Sequence, residues 1–288
     1  MPITHSPLRY PGGKTAIFDI ISTIADENNI KPCNYAEPYA GGAGLALTML
    51  FSGYASNIYL NDIDRSIWAF WYSILNNCDD FIKKIESTDI TIDEWHKQRD
   101  IQNNKTKASL FDLGFSSFFL NRTNRSGIIL KAGVIGGLSQ NGKYTLDCRF
   151  NKIDLIRKIK KIKSFEGKIH ISNEDAIDFM SNFERKNVTN PLLCIDPPYF
   201  EKGSSLYTNF YEKDDHSKLR DIITSLKSPW ILTYDNADEI RELYKNHDCF
   251  NFDINYSAAN KRVGKEILVK SKNISLPTSL NIERLIAA

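Results

Sequence analysis

The sequence predicts an α/β fold built on a mainly parallel sheet of seven strands. Seven short runs rich in β-branched and aromatic residues are bounded by turn residues, and segments with helical apolar spacing separate many of them. Strands that alternate with helices are typical of parallel sheets with crossover helices. The predicted strands are residues 33–37, 57–61, 168–172, 192–196, 230–234, 250–256 and 266–270.

The segments between these runs justify the order of elements. Helical spacing is present at residues 45–52 after the first run, at 175–182 after the third and at 216–226 before the fifth. The last two runs lie too close together for a helix between them. We therefore expect them to form an antiparallel hairpin at one edge of the sheet.

Residues 62–167 separate the second predicted strand from the third. Because a span of this length is too long for a loop in a compact domain, it predicts an inserted second domain, which we place at residues 64–165. Residues 1–63 and 166–288 would then form the domain that contains the sheet.

The predicted insert has a helical part and an irregular part. Helical spacing runs through 67–75, 78–86, 92–102 and 107–119, and again through 152–163. Residues 121–149 are rich in Gly, Asn, Ser and basic residues, which predicts a hairpin with exposed loops. The lysines of 152–163 indicate either a solvated helix face or contacts with phosphates.

Composition and charge narrow the class of protein. With 42% hydrophobic and 25% charged residues, the 288-residue chain can bury a globular core, which excludes a disordered or fibrous protein. The formal net charge is only +2, so a polyanion would have to bind a local cluster of basic residues. The five cysteines are dispersed without a CxxC pair, and no apolar run suits a signal peptide or a membrane helix. We expect a soluble cytoplasmic protein without a metal site or a membrane partner.

A glycine-rich turn follows the first predicted strand. Glu37-Pro-Tyr-Ala-Gly-Gly-Ala-Gly44 leads into an apolar helix, and its glycines let the backbone turn sharply and approach a ligand at the helix N-terminus. Asp62 ends the next strand, where a carboxylate can accept hydrogen bonds from both hydroxyls of a ribose. Taken singly, the glycine loop is consistent with a plain turn, and the carboxylate is consistent with a helix cap. Together they favour a nucleotide-like ligand.

An apolar strand that ends in Asp196-Pro-Pro-Tyr-Phe200 carries the most specific pattern. Pro197 and Pro198 fix the backbone at the carboxyl edge of the sheet, where open α/β folds bind ligands. The Asp196 carboxylate and the Pro197 carbonyl can both accept hydrogen bonds from one amino group, and Tyr199 offers a ring face to a planar base. A turn that merely ends the strand is the alternative. Near the N-terminus, the segment LRYPGGK supplies an aromatic ring, an open backbone and a cation.

The order of these motifs resembles one family. RYPGGK, EPYAGGAG, NDID, a long insert, NEDA and DPPYF follow one another as in the Dam-like adenine-specific DNA methyltransferases of the D12 class, alpha group. The similarity covers nearly the whole chain and continues into residues 214–219, 231–236 and 265–270, although the glycine spacing differs from the FxGxG that relatives often carry. The resemblance implies a Rossmann-like, seven-stranded class I methyltransferase sheet with an inserted, mostly helical target-recognition domain that carries a hairpin.

The resemblance also implies an activity and a set of site residues. The chain would transfer a methyl group from S-adenosylmethionine to the N6 amino group of a flipped-out adenine at a specific site in double-stranded DNA. The implied catalytic residues are Asp196, Pro197, Pro198 and Tyr199. The implied cofactor-binding residues are Tyr10, Lys14, Glu37, Gly41, Asp62, Asp175 and Asp196.

We expect the DNA contacts in the insert. Arg and Asn side chains can read base edges, and glycines let a hairpin enter a groove. The predicted DNA-binding residues are Arg122, Asn124, Arg125 and Lys143, with an ordinary polar surface hairpin as the alternative. A cognate restriction enzyme stays open as a further partner.

Two other functions stay open. One is a methyltransferase that acts on RNA or on a protein glutamine through the same acceptor geometry, although such enzymes more often carry Asn in place of Asp196. The other is a DNA-binding relative without turnover, against which the intact DPPY motif argues.

Overall fold

Eight strands form one sheet in the part of the chain that the computed structural model describes, which is residues 4–9, 14–200, 211–256, 262–280 and 282–285. The strands are β1 Cys33–Glu37, β2 Ala55–Asn61, β3 Ile169–Ser172, β4 Pro191–Ile195, β5 Trp230–Asp235, β6 Cys249–Tyr256, β7 Arg262–Lys270 and β8 Glu283–Leu285. Their order is β3-β2-β1-β4-β5-β7-β6-β8, with β1 to β5 parallel and β6 to β8 antiparallel.

This topology confirms the predicted fold class, a Rossmann-like mixed α/β sheet with an antiparallel edge. Strand order reverses between β1 and β4, which creates the crevice at which open α/β sheets bind ligands. The eighth strand, β8, pairs only three residues with β6. So short a segment leaves no periodic pattern to detect in the sequence.

Helices cover both faces of the sheet. In the described residues they are α1 Phe18–Glu27, α2 Gly44–Phe51, α3 Arg65–Asn76, α4 Cys78–Ser87, α5 Ile92–Asn103, α6 Leu110–Thr123, α7 Lys152–Lys163, α8 Ala176–Arg185, α9 Lys213–Ser225 and α10 Asp238–Leu243. Strands β4 and β5 carry continuous apolar runs that are buried on both faces, as parallel strands between two helical layers usually do.

The helices between β2 and β3 pack on the same apolar core as the sheet. Phe70 of α3, Phe118 of α6 and Ile159 of α7 belong to one buried cluster with Ile58 of β2. Helices α3 and α6 approach closely at Gly114, where an added Cβ would collide with the backbone of Ala69. The division of the chain into two domains stays a prediction.

The predicted hairpin at 121–149 differs from the observed structure. Helix α6 extends to Thr123, short 3₁₀ turns occupy Arg125–Gly127 and Leu146–Arg149, and one isolated antiparallel bridge joins Asn124 to Val134. The Asn124 carboxamide donates to the carbonyls of Ile128 and Ile129 at 2.9 and 2.8 Å. The Asn124 side chain therefore bonds to backbone carbonyls that would pair with a neighbouring strand in a regular hairpin.

Helix α7 places its lysines mostly on protein contacts. Lys152 donates to the carbonyls of Glu86 and Thr88, and Lys163 donates to the carbonyl of Leu75. These bonds favour a structural role for the two lysines over phosphate contact. Within the described residues, none of the helices combines the length and apolar character that a membrane crossing requires.

Candidate active site

Three acidic residues lie at the carboxyl ends of neighbouring parallel strands. Glu37 ends β1, Asp62 follows β2 and Asp196 follows β4. Since β1 lies between β2 and β4 in the sheet, these residues meet at the point where strand order reverses. The structure thus brings together the glycine turn and the Asp-Pro-Pro-Tyr turn.

The glycine turn is tied to the end of β2. Asp62 accepts a hydrogen bond from the Gly41 amide at 2.9 Å through one oxygen and from the Asp64 amide at 2.9 Å through the other. Gly41 has a φ of +46°, a left-handed conformation that glycine adopts without a steric penalty. The Gly41 carbonyl accepts from the Trp71 indole at 3.0 Å, so helix α3 also supports the turn.

The segment that carries Lys14 packs against the start of α2. At Gly44, the first residue of that helix, an added Cβ would collide with the Thr15 hydroxyl. Glycine at this position therefore permits the close approach that places Lys14 over the sheet edge. Tyr10 lies outside the described residues.

Asn61 holds three loop ends together, a role that its sequence motif did not indicate. Its side-chain Nδ2 donates to the carbonyls of Pro38 at 3.1 Å and Glu174 at 3.0 Å. Its side-chain Oδ1 accepts from the Ser172 hydroxyl at 2.8 Å. Asp175, next to this junction, caps α8 by accepting from the Ile177 amide at 2.8 Å. Its predicted approach to the cofactor adenine stays a prediction.

A buried ionic network surrounds Asp196. Lys14 Nζ lies 3.1 Å from Asp196 Oδ1 and 2.7 Å from Glu266 Oε2, and it donates to the Tyr199 hydroxyl at 3.1 Å. Tyr199 in turn donates to Glu266. The Thr233 hydroxyl donates to Asp196 Oδ1 at 2.8 Å. These contacts hold the carboxylate of Asp196 at the end of β4.

Glu266 and Thr233 are site residues that the sequence patterns did not indicate. Both lie in predicted strands, where the apolar run suggested only core positions. A single acidic residue inside the apolar stretch Glu-Ile-Leu-Val of β7 was the available signal for Glu266, which is 0% exposed. A fully buried carboxylate requires a partner, and Lys14 provides it.

Burial shifts the acid–base behaviour of the site. Burial raises the pKa of Glu37 to about 8, of Asp62 to about 7 and of Asp196 to about 6. Burial alone would lower the pKa of Lys14, but Asp196 and Glu266 outweigh it and raise this pKa above its usual value. Among the described residues, Lys14 contributes the positive charge that contacts Asp196 and Glu266.

The described residues fit S-adenosylmethionine. The Asp62 carboxyl group can accept from ribose hydroxyls beside the left-handed turn at Gly41. Residues that could hold the cofactor are Lys14, Glu37, Gly41, Asp62, Asp175 and Asp196. Within the described residues, no cluster of three or more His, Cys, Asp or Glu side chains forms a candidate metal site.

Pro197, Pro198 and Tyr199 connect β4 to a turn that β5 holds. Pro197 and Tyr199 are buried, and the Phe200 amide donates to Asp235 Oδ1 at 2.9 Å. The rigid turn thus has a second anchor beyond Asp196. The roles predicted for its proline carbonyl and tyrosine ring stay predictions.

Two residues predicted to contact DNA form hydrogen bonds within the protein. Asn124 is 1% exposed, and its carboxamide accepts from the Trp95 indole at 2.7 Å while donating to two loop carbonyls. Arg122 donates to the carbonyls of Arg149 at 2.8 Å and Pro7 at 3.3 Å, and burial lowers its pKa to about 10. Both side chains therefore hold the loop, and their contact with DNA stays a prediction.

Arg125 and Lys143 are exposed and available for a partner. Arg125 lines a cavity of about 270 Å³ together with His96, Arg99 and Leu138. The Lys143 amine lies 5.8 Å from the Tyr144 ring, which is itself 59% exposed. Basic groups beside apolar surface are typical of nucleic-acid contacts.

The insert is joined directly to the N-terminal segment that leads to Lys14. The backbone amide of Arg9 donates to Asn121 Oδ1 at 2.7 Å. The side-chain Nδ2 of Asn121 donates back to the Arg9 carbonyl, also at 2.7 Å. Arg9 also donates to the Asn124 carbonyl at 3.1 Å. Since Lys14 is five residues after Arg9, their Cα atoms are at most about 18 Å apart.

Comparisons with known proteins find several similar chains. A type II methyltransferase, M.CviBI of Paramecium bursaria Chlorella virus NC1A, is 23% identical over 274 residues, which is 90% of this chain and 95% of the viral protein. Among solved structures, a protein of Pyrococcus horikoshii provisionally described as an RNA methyltransferase is 10% identical, covers 97% of this chain and 88% of its own, and has a TM-score of 0.42. A SAM-dependent methyltransferase of Agrobacterium tumefaciens is 12% identical, covers 90% of this chain and 62% of its own, and also has a TM-score of 0.42.

The family assignment rests on the sequence match itself. Residues 10–261 match the family of D12 class N6 adenine-specific DNA methyltransferases, which is most of the chain and includes the glycine turn and the Asp-Pro-Pro-Tyr turn. The chain therefore belongs to the D12 class N6 adenine-specific DNA methyltransferases and uses S-adenosylmethionine as its methyl donor.

Proposed function

We propose that the protein methylates the N6 amino group of an adenine that is flipped out of double-stranded DNA at a specific sequence. The observation that carries this proposal is the placement of Asp196, which Lys14 and Thr233 hold at the sheet edge beside the Gly41–Asp62 turn. Donor and acceptor groups held side by side react as an intramolecular pair, which is worth several orders of magnitude in rate.

The chemistry requires help with a weak nucleophile. The adenine amino lone pair is delocalised into the ring, and in a duplex the amino group is paired and stacked. Flipping the base exposes it at a cost of a few kcal/mol. Bound S-adenosylmethionine supplies an electrophilic methyl group.

Asp196 and Pro197 are the proposed acceptors for the two amino N–H groups. The Lys14 and Thr233 contacts both use Oδ1 of Asp196, so we assign Oδ2 to the substrate. Accepting both N–H groups favours a pyramidal nitrogen whose lone pair points away from the ring. The same acceptors stabilise positive charge that develops on the nitrogen, and the proton leaves to solvent or to Asp196.

Tyr199 and the cofactor-side residues complete the proposed site. The Tyr199 ring would stack on the flipped base, with its hydroxyl held by Lys14 and Glu266. Asp62 would accept from the ribose hydroxyls, while Glu37 and Gly41 would form the floor of the cofactor site. Lys14 would act chiefly by orienting Asp196.

Residues 64–165 are the proposed target-recognition part. Arg125 and Lys143 would contact DNA, with Arg99 and His96 on the same cavity as Arg125. The type II designation of the viral relative supports a restriction–modification setting with a cognate restriction enzyme as a partner. A DNA substrate favours the cytoplasm as the place of action.

Labelled methyl transfer tests the proposal. The protein is incubated with tritium-labelled S-adenosylmethionine and with plasmid DNA, RNA or total protein in separate reactions, and the DNA is digested to nucleosides. We expect label in DNA as N6-methyladenine, at one sequence when methylated positions are mapped. Label in RNA or protein alone, or in another nucleoside, would overturn the proposed substrate.

Base flipping has its own readout. A duplex with 2-aminopurine at the methylated position should gain fluorescence when the protein binds, because an unstacked 2-aminopurine is no longer quenched. A duplex with the probe several bases away is the control. Equal fluorescence changes in the two duplexes would contradict flipping at the target.

A further inference from the structure

Five ring side chains connect the two halves of the site. Tyr39 follows β1 at the glycine turn, Phe200 ends the Asp-Pro-Pro-Tyr turn and Tyr234 belongs to β5, while Tyr211 precedes α9 and His216 lies in its first turns. We call this group the aromatic bridge: Tyr39, Phe200, Tyr211, His216 and Tyr234.

His216 lies at the centre of the aromatic bridge. Its ring centroid is 5.1 Å from that of Phe200, 5.5 Å from that of Tyr211 and 5.6 Å from that of Tyr234. It is 2% exposed, and its Nδ1 forms a 2.6 Å hydrogen bond with the Tyr234 hydroxyl. Tyr211 extends the contact to the cofactor side through a 2.7 Å hydrogen bond with the Tyr39 hydroxyl.

The Asp-Pro-Pro-Tyr turn is held from both sides of β5. Thr233 contacts Asp196, and Asp235 accepts from the Phe200 amide. Tyr234 lies between them in the strand and points to the opposite face, where its hydroxyl bonds to His216. The His216 ring in turn contacts the Phe200 ring. Burial lowers the pKa of His216, so its ring is neutral near pH 7. A neutral ring packs among aromatic side chains without an uncompensated charge.

A second observation shows that packing alone does not explain His216. Its Nε2 is buried and has no hydrogen-bond partner among the described residues. An apolar residue would fill the same space without a buried unpaired nitrogen. The bond to Tyr234 is therefore the polar contact that the imidazole makes among the described side chains.

We propose that His216 is a positioning residue for methyl transfer, which fixes the distance between the glycine turn and the Asp-Pro-Pro-Tyr turn through its hydrogen bond to Tyr234 and its contacts with Phe200 and Tyr211. This inference rests on the proposed function, because it assumes that the two turns hold the methyl donor and the amino acceptor. A displacement of about 1 Å between reacting groups can cost about 100-fold in rate.

The test compares His216→Phe, Tyr234→Phe, the double variant and His216→Asn in single-turnover methyl transfer. Phenylalanine at either position retains a ring and removes the hydrogen bond, whereas asparagine at 216 can still reach the Tyr234 hydroxyl. We expect each phenylalanine variant to lose about 10- to 100-fold in rate. The rate of the double variant should lie within about threefold of the rate of the slower single variant, since both changes remove the same hydrogen bond.

Cofactor affinity separates positioning from general damage. We expect the dissociation constant of S-adenosylmethionine to change by less than about threefold in each variant, with His216→Asn recovering part of the rate. His247→Phe is the matched control, because His247 also packs between aromatic rings, those of Trp230 and Tyr244, but lies beyond the opposite ends of the strands. A wild-type rate in His216→Phe, or a double variant whose losses multiply, would overturn the inference.

Hydrogen exchange provides a measurement that needs no methyl transfer. In the wild type, S-adenosylmethionine should slow exchange of the Phe200 amide, because the aromatic bridge transmits the order of the glycine turn. In Tyr234→Phe, S-adenosylmethionine should not slow this exchange, and in His216→Asn it should slow it only partly. Equal slowing in the wild type and both variants would refute the inference. If the wild type fails to methylate DNA, the proposed function fails, while this measurement still decides the role of His216.

Discussion

Lys14 and Asp196 form a buried ion pair, with 3.1 Å between Nζ and Oδ1, that joins the N-terminal segment to the end of the fourth strand. Lys14 also contacts Glu266 at 2.7 Å, so this cation contacts two carboxyl groups, one of them fully buried. The pair therefore orients the carboxylate proposed to bind the amino group and closes the fold over the sheet edge.

Removing the cation should destabilise the protein. Lys14→Met removes the ammonium group that pairs with the buried Glu266, and we expect the free energy of unfolding to fall by about 3–5 kcal/mol in urea denaturation. Lys83→Met is the control, since Lys83 pairs with Asp80 on an exposed helix face and should change this free energy by less than about 1 kcal/mol. Adding Glu266→Gln to Lys14→Met should recover part of the loss; no recovery would contradict the pairing of Lys14 with Glu266.

The Asp196 carboxylate should be essential for transfer and dispensable for folding. Asp196→Ala should lower the single-turnover rate by at least about 100-fold, because an acceptor for developing charge is lost. Thermal unfolding and the dissociation constant of S-adenosylmethionine check that the protein still folds and binds its cofactor. Asp221→Ala, an exposed change on α9, should leave the rate unchanged. Turnover that survives Asp196→Ala would show that the acceptor is elsewhere.

Arg125 and Arg122 should differ in their effects on DNA binding. We expect Arg125→Ala to weaken binding of all duplexes and to reduce the slope of log K against log salt by about 1 if it contacts a phosphate, or to relax specificity at one base pair if it reads a base. Arg122→Ala should mainly lower the melting temperature, since this side chain holds the carbonyls of Pro7 and Arg149. The reverse pattern would contradict the assignment of Arg122 to the loop scaffold.

The raised pKa values predict a pH-dependent stability for the protein without cofactor. Glu37 has a pKa of about 8 in the fold and about 4.3 when unfolded, so the folded state binds more protons than the unfolded state between these values. Its contribution is complete below about pH 4 and is lost as pH rises through about 8. Melting temperatures at pH 5 and pH 8.5 should therefore differ less in Glu37→Gln than in the wild type. A larger difference in the variant would reverse the sign of this prediction.

Local sequence patterns determined the strands, the turns and the identity of the site. Apolar runs bounded by turn residues mark β1 to β7, and the Gly-rich and Asp-Pro-Pro-Tyr turns are contiguous segments whose chemistry can be read from neighbouring residues. These features depend on backbone preferences and side-chain alternation over a few residues, which act before distant contacts form. They also place Glu37, Asp62 and Asp196 at one sheet edge once the strand order is known.

Only the tertiary structure decided which side chains serve the site and which serve the scaffold. Lys14, Thr233 and Glu266 meet Asp196 because the segments that carry them pack together, and no local pattern encodes that meeting. Asn124 lies in a segment whose composition is typical of a DNA-contacting loop, yet its polar atoms bond to a loop carbonyl and to the Trp95 indole. The physical reason is that a polar side chain bonds to whatever groups the fold buries beside it, and those groups come from distant parts of the chain.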